Sequence, residues 1–433
     1  MPELLPYVRA VHFAATVTAV GIVLFHFFVA GPALGSRDDD YSPAVKRLLA
    51  RWLWMVWASL AVALLSGAAW LVLLASDIYD APVSEVWANG GVWTVITQTR
   101  FGRIGAIRFG LAVLLALSSA RLLRAPQHPR WGLVPAVLAA GFLIAPAWTG
   151  HAGAMPGSSG QFDVVADALH LLAAGAWIGG LLPLAMLLAP AHGGTEPGWA
   201  AAAPIAVGRF SLLGMACVAA LLATGVINTW YEVGSVADLI ETPYGRLVLV
   251  KIGLFAAMVG IATINRFRLT PRLSASASVR RLQRNCLAET LLGFAALFAV
   301  GFLGAMAPAV HAHHHATSAA IPADAAFVHI HSAQGMADVT INPGRIGAAR
   351  ATIRLLNDDL DPLAAERVTL TLTAPAQASK PLMRSAALAS DGAWEVDGIE
   401  LAQAGNWMVQ VGAVLERGGQ LSLAAPIVIG PSP

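Results

Sequence analysis

Residues 163–189 read DVVADALHLLAAGAWIGGLLPLAMLLA, and after Asp167 the only ionisable side chain in that run is His170. A helix on the surface of a water-soluble domain shows a charged face at every turn. This run shows none for about 20 residues, the length of helix that crosses a hydrocarbon core of about 30 Å. It reads as a membrane span.

Seven more runs of the same kind lie around it, so that spans are expected at 7–34, 48–75, 102–123, 131–148, 163–189, 205–231, 244–265 and 286–308. The first is too long for a signal-peptide core and lacks a clear small-residue cleavage site, so it is expected to be retained. Composition agrees. Charged residues make up 12% and hydrophobic ones 57% of the 433 residues, whereas soluble domains carry about 25% charge. That excludes a wholly soluble or a disordered chain. A net charge of +2 with no basic block gives nucleic acid nothing to bind. Two cysteines, Cys217 and Cys286, both inside apolar runs, exclude a disulfide scaffold and a CxxC site.

Basic residues set the expected orientation. Arg37, Lys46, Arg47 and Arg51 follow span 1, Arg121, Arg124 and Arg130 follow span 3, and Arg266, Arg268, Arg272, Arg280, Arg281 and Arg284 follow span 7. Residues 149–162 and 231–243 carry no Lys or Arg. The odd-numbered loops are therefore expected in the cytoplasm and both termini in the periplasm. Beyond the spans the pattern changes. A small-residue linker at 309–323 (AVHAHHHATSAAIPA) leads into short alternating runs at 327–331, 337–341, 351–355, 368–372 and 407–411, with a last one near Ile427. Turn residues punctuate them about every ten positions, the signature of a β-sandwich. The expected fold is thus an all-α polytopic membrane protein of eight transmembrane helices over 1–308, followed by a small all-β immunoglobulin-like extramembrane domain over 324–433.

Histidines carry the chemical signal. His12 and His170 lie at nearly the same depth in spans 1 and 5, about 8 Å from the outer end, with His151 at the outer end of span 4 and Met155 in the loop beyond it. An ionisable side chain within a span marks a functional site by default. Imidazole suits copper, zinc and iron, and thioether favours Cu(I). His26 follows His12 by fourteen residues on a similar helix face, a spacing compatible with a transmembrane route, with two haems on one helix, or with a structural hydrogen bond. The linker offers His311, His313, His314 and His315, able to bind Cu(II), Ni(II) or Zn(II). His329 and His331 alternate on a strand with Met336 nearby, a candidate surface metal site. Lys251, Glu289, Asn228 and Glu232 are further polar groups in or beside spans. Cys217 reads as a small buried apolar residue. No Walker A or DKTG sequence is present, so ATP-driven pumping by this chain is not expected, nor is enzymatic activity.

Several runs occur together and in order: Thr149-Gly150-His151-Ala152, then Asp167-Ala-Leu-His170 leading to Trp177-Ile-Gly179-Gly180-Leu181, then Arg209-Phe210-Ser211, Thr224-Gly225-Val-Ile-Asn228, Thr242-Pro-Tyr244-Gly245 through to Lys251, and Asn265-Arg266. This series resembles the CopD family of copper resistance proteins. The tail resembles the CopC-type and YtkA-like sandwich modules of longer CopD-like chains. The resemblance implies copper handling at the bacterial inner membrane with a periplasmic CopC-type partner. It carries copper-ligand roles onto His151 and His170, and with less support onto His12. Some relatives place a CopC-like domain ahead of the spans, whereas this chain begins almost directly in span 1, so delivery is expected from a separate protein or from the tail. The metal residues expected on these grounds are His12, His151, His170, Met155, His313, His315, His329 and His331, with copper as the ion. A haem-binding membrane redox protein using His12, His170 and His26, and a copper-binding sensor or assembly factor without transport, remain open alternatives.

Overall fold

A computed structural model describes residues 4–34, 42–79, 81–124, 129–149, 157–189, 197–306, 322, 324–332, 335–357, 362–374, 381–416 and 418–431. It divides into two compact units, Met1–Ala312 and His313–Pro433. The first unit is helical and the second is β.

The main helices of the first unit are α1 (Leu5–Phe25), α2 (Pro43–Ile78), α3 (Arg100–Arg124), α4 (Pro129–Ile144), α5 (Gly157–Leu188), α6 (Pro197–Val233), α7 (Pro243–Ile264) and α8 (Ser276–Leu303). Seven helices among the described residues are long and apolar enough to cross a membrane. The remaining run, expected at 131–148, is the shorter apolar helix Gly132–Trp148. Its last turn, Ala145–Trp148, tightens to a 3-10 helix at Pro146, which has no N–H to continue the α-helical ladder.

Local chemistry sets the helix starts. Ser42 accepts from the Val45 N–H with Pro43 in the first turn, and Thr242 accepts from the Gly245 N–H with Pro243 behind it, both good N-terminal arrangements. α1 runs on through a π-helical turn, His26–Ala30, to Leu34. Pro32 cannot donate to the Phe28 carbonyl four residues back, and the Arg209 Nε donates to that oxygen instead, at 2.8 Å.

α1 and α5 are the most buried spans, and they cross through glycine. A Cβ on Gly21 would stand 2.2 Å from the Gly179 Cα, and one on Gly179 would stand 2.2 Å from the Val17 carbonyl oxygen. Gly175 and Gly180 give similar clearance to Leu143 and Phe210. The glycines of the Trp177-Ile-Gly-Gly run are therefore a packing device, small residues that let helix backbones approach.

The second unit has nine strands among the described residues: β1 (Ala326–Ser332), β2 (Gly335–Asn342), β3 (Gly347–Leu356), β4 (Ala365–Thr373), β5 (Leu382–Ser385), β6 (Ala387–Leu388), β7 (Trp394–Leu401), β8 (Gly405–Leu415) and β9 (Gln420–Ile429). They form two sheets, ordered β1-β2-β3-β7-β6 and β5-β4-β8-β9. Alternate residues such as Val339, Ile341, Ile353, Val368, Leu370, Val409 and Val411 point inward to one shared core, as the period of two requires.

Candidate functional site

His170 lies on α5 and faces α6. The Thr224 hydroxyl spends its one hydrogen on the Ala220 carbonyl, at 2.7 Å. It can then only accept from the imidazole, and the His170 Nδ1 stands 2.9 Å from it. Nδ1 therefore carries the proton and Nε2 the lone pair, the arrangement in which one ring nitrogen is held so that the other can bind a metal. Nε2 has no hydrogen-bond partner among the described residues. Gly225 lies beside the ring: a Cβ there would make ordinary contact with Cε1, at 3.8 Å.

Further polar side chains bridge α5, α6 and α7. Asp163, Asp167 and His170 share one face of α5, and Thr224, Asn228 and Glu232 share one face of α6, by the three- and four-residue spacing of a helix. The Asn228 Nδ2 donates to Asp167 at 2.9 Å, while its Oδ1 is buried without a partner. From α7 the Tyr244 hydroxyl donates to Glu232 at 2.8 Å. Lys251, also on α7, lies close enough to act electrostatically on both Asp167 and His170. These hydrogen bonds form a polar network across α5, α6 and α7, and ionisable groups within spans mark a candidate functional site. Asp167 and Tyr244 escaped the sequence reading because each looks like an ordinary helix-end residue until three helices are brought together.

His12 presents a different arrangement. Its Nδ1 stands 2.9 Å from the Ala63 carbonyl and 3.2 Å from the Ser66 hydroxyl, which itself donates to Val62. Nδ1 is thus the protonated nitrogen. Nε2 takes a hydrogen bond from the Arg108 guanidinium on α3, at 2.8 Å, so both nitrogens are engaged. Arg108 also donates from Nε to the Phe142 carbonyl at 3.2 Å and lies 4.7 Å from the Phe142 ring centre, while its Nη2 is buried without a partner. Arg9 sits over Trp70, which packs edge-on against His12, and donates to the Gly304 carbonyl. His12 and His170 thus have separate partners. Among the described residues no three His, Cys, Asp or Glu are grouped as a metal site.

The other candidates fall as follows. His26 lines a cavity of about 40 Å³ with Ile22, Val23, Leu49, Trp52 and Ser119, and the Trp52 Nε1 is buried without a partner. Glu289 is buried and accepts from the Asn265 amide at 2.6 Å, which in turn accepts from Asn285 at 2.6 Å. Cys217 is a buried free cysteine within the helical core. In the tail, the His329 Nδ1 lies 2.6 Å from an Asp338 carboxylate oxygen, its cross-strand neighbour. That hydrogen bond and charge hold the His329 imidazole above its ordinary range. His331 stands in register with Met336, whose side chain is buried. His151, Met155, His313 and His315 lie outside the described residues.

The profile described as "Copper resistance protein D-like, N-terminal domain" matches residues 1–161, and the one described as "Copper resistance protein D" matches residues 204–303. The membrane unit belongs to the CopD family. The chain is 29% identical over 265 residues to "Copper resistance protein D" of Pseudomonas syringae pv. tomato, covering 58% of this chain and 84% of that one. It is 25% identical over 420 residues to "Copper transport protein CutJ" of Bacillus subtilis (strain 168), covering 93% and 70%. It is 28% identical over 265 residues to "Inner membrane protein YebZ" of Escherichia coli (strain K12), covering 61% and 84%. The first matched range of this chain includes His12 and Arg108, the second includes Thr224, Asn228, Tyr244, Lys251, Asn265 and Glu289, and His170 lies between the two. The chain is therefore a multi-pass membrane protein of a copper-resistance family, with an all-β domain after its spans.

Proposed function

We propose that this protein takes up copper at the periplasmic face of the inner membrane and passes it inward. The observation that carries the reading is the His170 imidazole, held by Thr224 with no partner on Nε2 among the described residues, on the helix face that also bears Asp163 and Asp167. The basic loops favour a periplasmic location for this end of α5. His151 and Met155, which follow the end of span 4, would complete the copper shell, and His12 would join it once its Nε2 is released. The linker histidines His313 and His315, with His329 and His331 of the tail, would collect the ion, aided by a CopC-type partner. The ion then moves by ligand exchange, which works when each site binds weakly enough to release. The two relatives named for copper resistance and copper transport support the choice of cargo.

The test is metal analysis of the detergent-purified full chain together with copper flux into vesicles. Wild type is expected to hold about one copper in the membrane unit, lost with flux in His170→Ala and His170→Gln. Copper retained in both variants would place binding elsewhere and overturn the site. Stoichiometric iron with a haem spectrum would overturn the function.

A further inference from the structure

The membrane unit holds an internal repeat. His12, Gly21, Ser66 and Gly67 correspond to His170, Gly179, Thr224 and Gly225, each pair separated by 158 residues. Farther on, residues 99–111, TRFGRIGAIRFGL, correspond to residues 242–254, TPYGRLVLVKIGL, at a constant separation of 143. Geometry follows sequence: Thr99 and Thr242 each accept from the N–H of the matching glycine, Gly102 or Gly245, and Gly21 meets its own counterpart Gly179 at the α1–α5 crossing. Each copy holds four helices, α1–α4 and α5–α8, so the copies run in the same direction, the parallel arrangement of some transporter halves. The charges do not repeat. The second copy carries Asp163, Asp167 and Glu232 together with Lys251, and the matching positions of the first copy hold Leu5, Arg9, Leu74 and Arg108. Where one copy is rich in carboxylates, the other offers guanidinium groups and no acid.

Both arginines flank the edge-on pair of His12 and Trp70. Arg108 donates from Nη1 to the His12 Nε2 and from Nε to the Phe142 carbonyl. Arg9 stands 4.6 Å over the Trp70 ring and donates to the Gly304 carbonyl. All these partners are uncharged. The Arg9 Nε and the Arg108 Nη2 are buried without a partner, and no carboxylate among the described residues pairs with either guanidinium. A buried cation calls for an opposite charge, and a buried N–H for an acceptor. An oxyanion answers both. There is space for one: a Cβ on Gly105, three positions before Arg108 and so on the same helix face, would meet nothing within 4 Å, whereas its match in the second copy is Val248. Depth points to the source. The first span, Leu5–Leu34, has 30 residues, about 45 Å of helix, so about 7 Å at each end lies beyond a hydrocarbon core of about 30 Å. Arg9, four residues after Leu5, lies about 6 Å from that end, at the level of lipid headgroups. At the same end, the short helices Val83–Ala88 and Gly91–Gln98 between α2 and α3 expose Trp87 and Trp93, and indoles favour the membrane–water interface. We propose that Arg9 and Arg108 hold the phosphate group of an anionic lipid, with the Arg108 Nη2–H and the Arg9 Nε–H as donors. Guanidinium groups match phosphate oxygens in both geometry and charge.

The experiment measures phosphatidylglycerol binding to the delipidated full chain in detergent by native mass spectrometry, with phosphatidylcholine as the zwitterionic control. Inorganic phosphate, at matched ionic strength, forms a further arm read by thermal unfolding. Wild type is expected to bind phosphatidylglycerol at least about tenfold more tightly than phosphatidylcholine, and Arg9→Gln to lose at least about tenfold of that affinity. Arg108 links three helices, so Arg108→Gln is the second variant rather than the first, with the same loss expected. Phosphatidylglycerol affinity unchanged in whichever of the two elutes as folded protein overturns the site. Equal affinity of wild type for the two lipids, with no stabilisation by phosphate, overturns it without any variant. Stabilisation by inorganic phosphate that Arg9→Gln abolishes, without a preference for phosphatidylglycerol, supports the arginine site and overturns the lipid as its source.

Discussion

The halves of the membrane unit each set a histidine against a hydroxyl residue and a glycine of the next helix, and hold it differently. At His170 the imidazole is oriented by a hydroxyl and has no partner at Nε2 among the described residues; at His12 it is oriented mainly by a carbonyl and capped by a guanidinium. Backbone, glycine crossing and N-terminal threonine turns are common to both. Several side chains separate them: 158 positions before Asp167 and Asn228 stand Arg9 and Trp70, and 143 positions before Lys251 stands Arg108. Arginine offers a planar fork that bonds the imidazole and Phe142 at once, whereas lysine is a point charge on a flexible stem. A repeated scaffold can thus carry different polar surroundings for its two histidines.

The comparison can be broken most forcefully at the crossing that the halves share. Gly179→Leu or Gly21→Leu puts a side chain where the partner backbone stands 2.2 Å away. Since backbone cannot yield, loss of folded protein is expected, read as loss of the monodisperse peak in detergent. Next comes the orienting hydroxyl. Thr224→Val keeps the shape but removes the acceptor of the His170 Nδ1 proton, and copper affinity is expected to fall about 10–100-fold. Ser66→Ala, its counterpart, leaves the Ala63 carbonyl in place and is expected to change copper binding by less than about threefold. An equal effect of the two would show that the halves are not distinguished by how each ring is held. A smaller effect concerns a third imidazole, His329, which is fixed by a carboxylate. Its folded pKa is raised by Asp338, so the pair's contribution is full below about pH 6.5 and is lost as pH rises through the folded value. Because the ring is 44% exposed, that contribution is expected below about 1 kcal/mol. Asp338→Asn should return the histidine NMR titration toward its ordinary range, and no change would detach the shift from the pair.

Much of this was legible residue by residue. Hydropathy marks the spans because every residue in lipid must be apolar or specially satisfied, and period-two alternation marks the tail strands because sheet faces alternate. His170 stands out as the one ionisable group in the later part of its run. Arg108 did not, because a basic residue in an apolar stretch reads as an interfacial side chain until its partner is known. The Ser66-Gly67 and Thr224-Gly225 dipeptides were available in the chain, yet their meaning depends on which histidine each one faces, across a separation of 54 positions.

What the sequence determined on its own is therefore the class of the protein: a membrane helical unit, a β-sandwich after it, and copper-compatible side chains at matched depth. Tertiary structure alone decided the state of each imidazole. Hydropathy is a sum over neighbours along the chain, whereas a free lone pair depends on directional hydrogen bonds between helices distant in sequence.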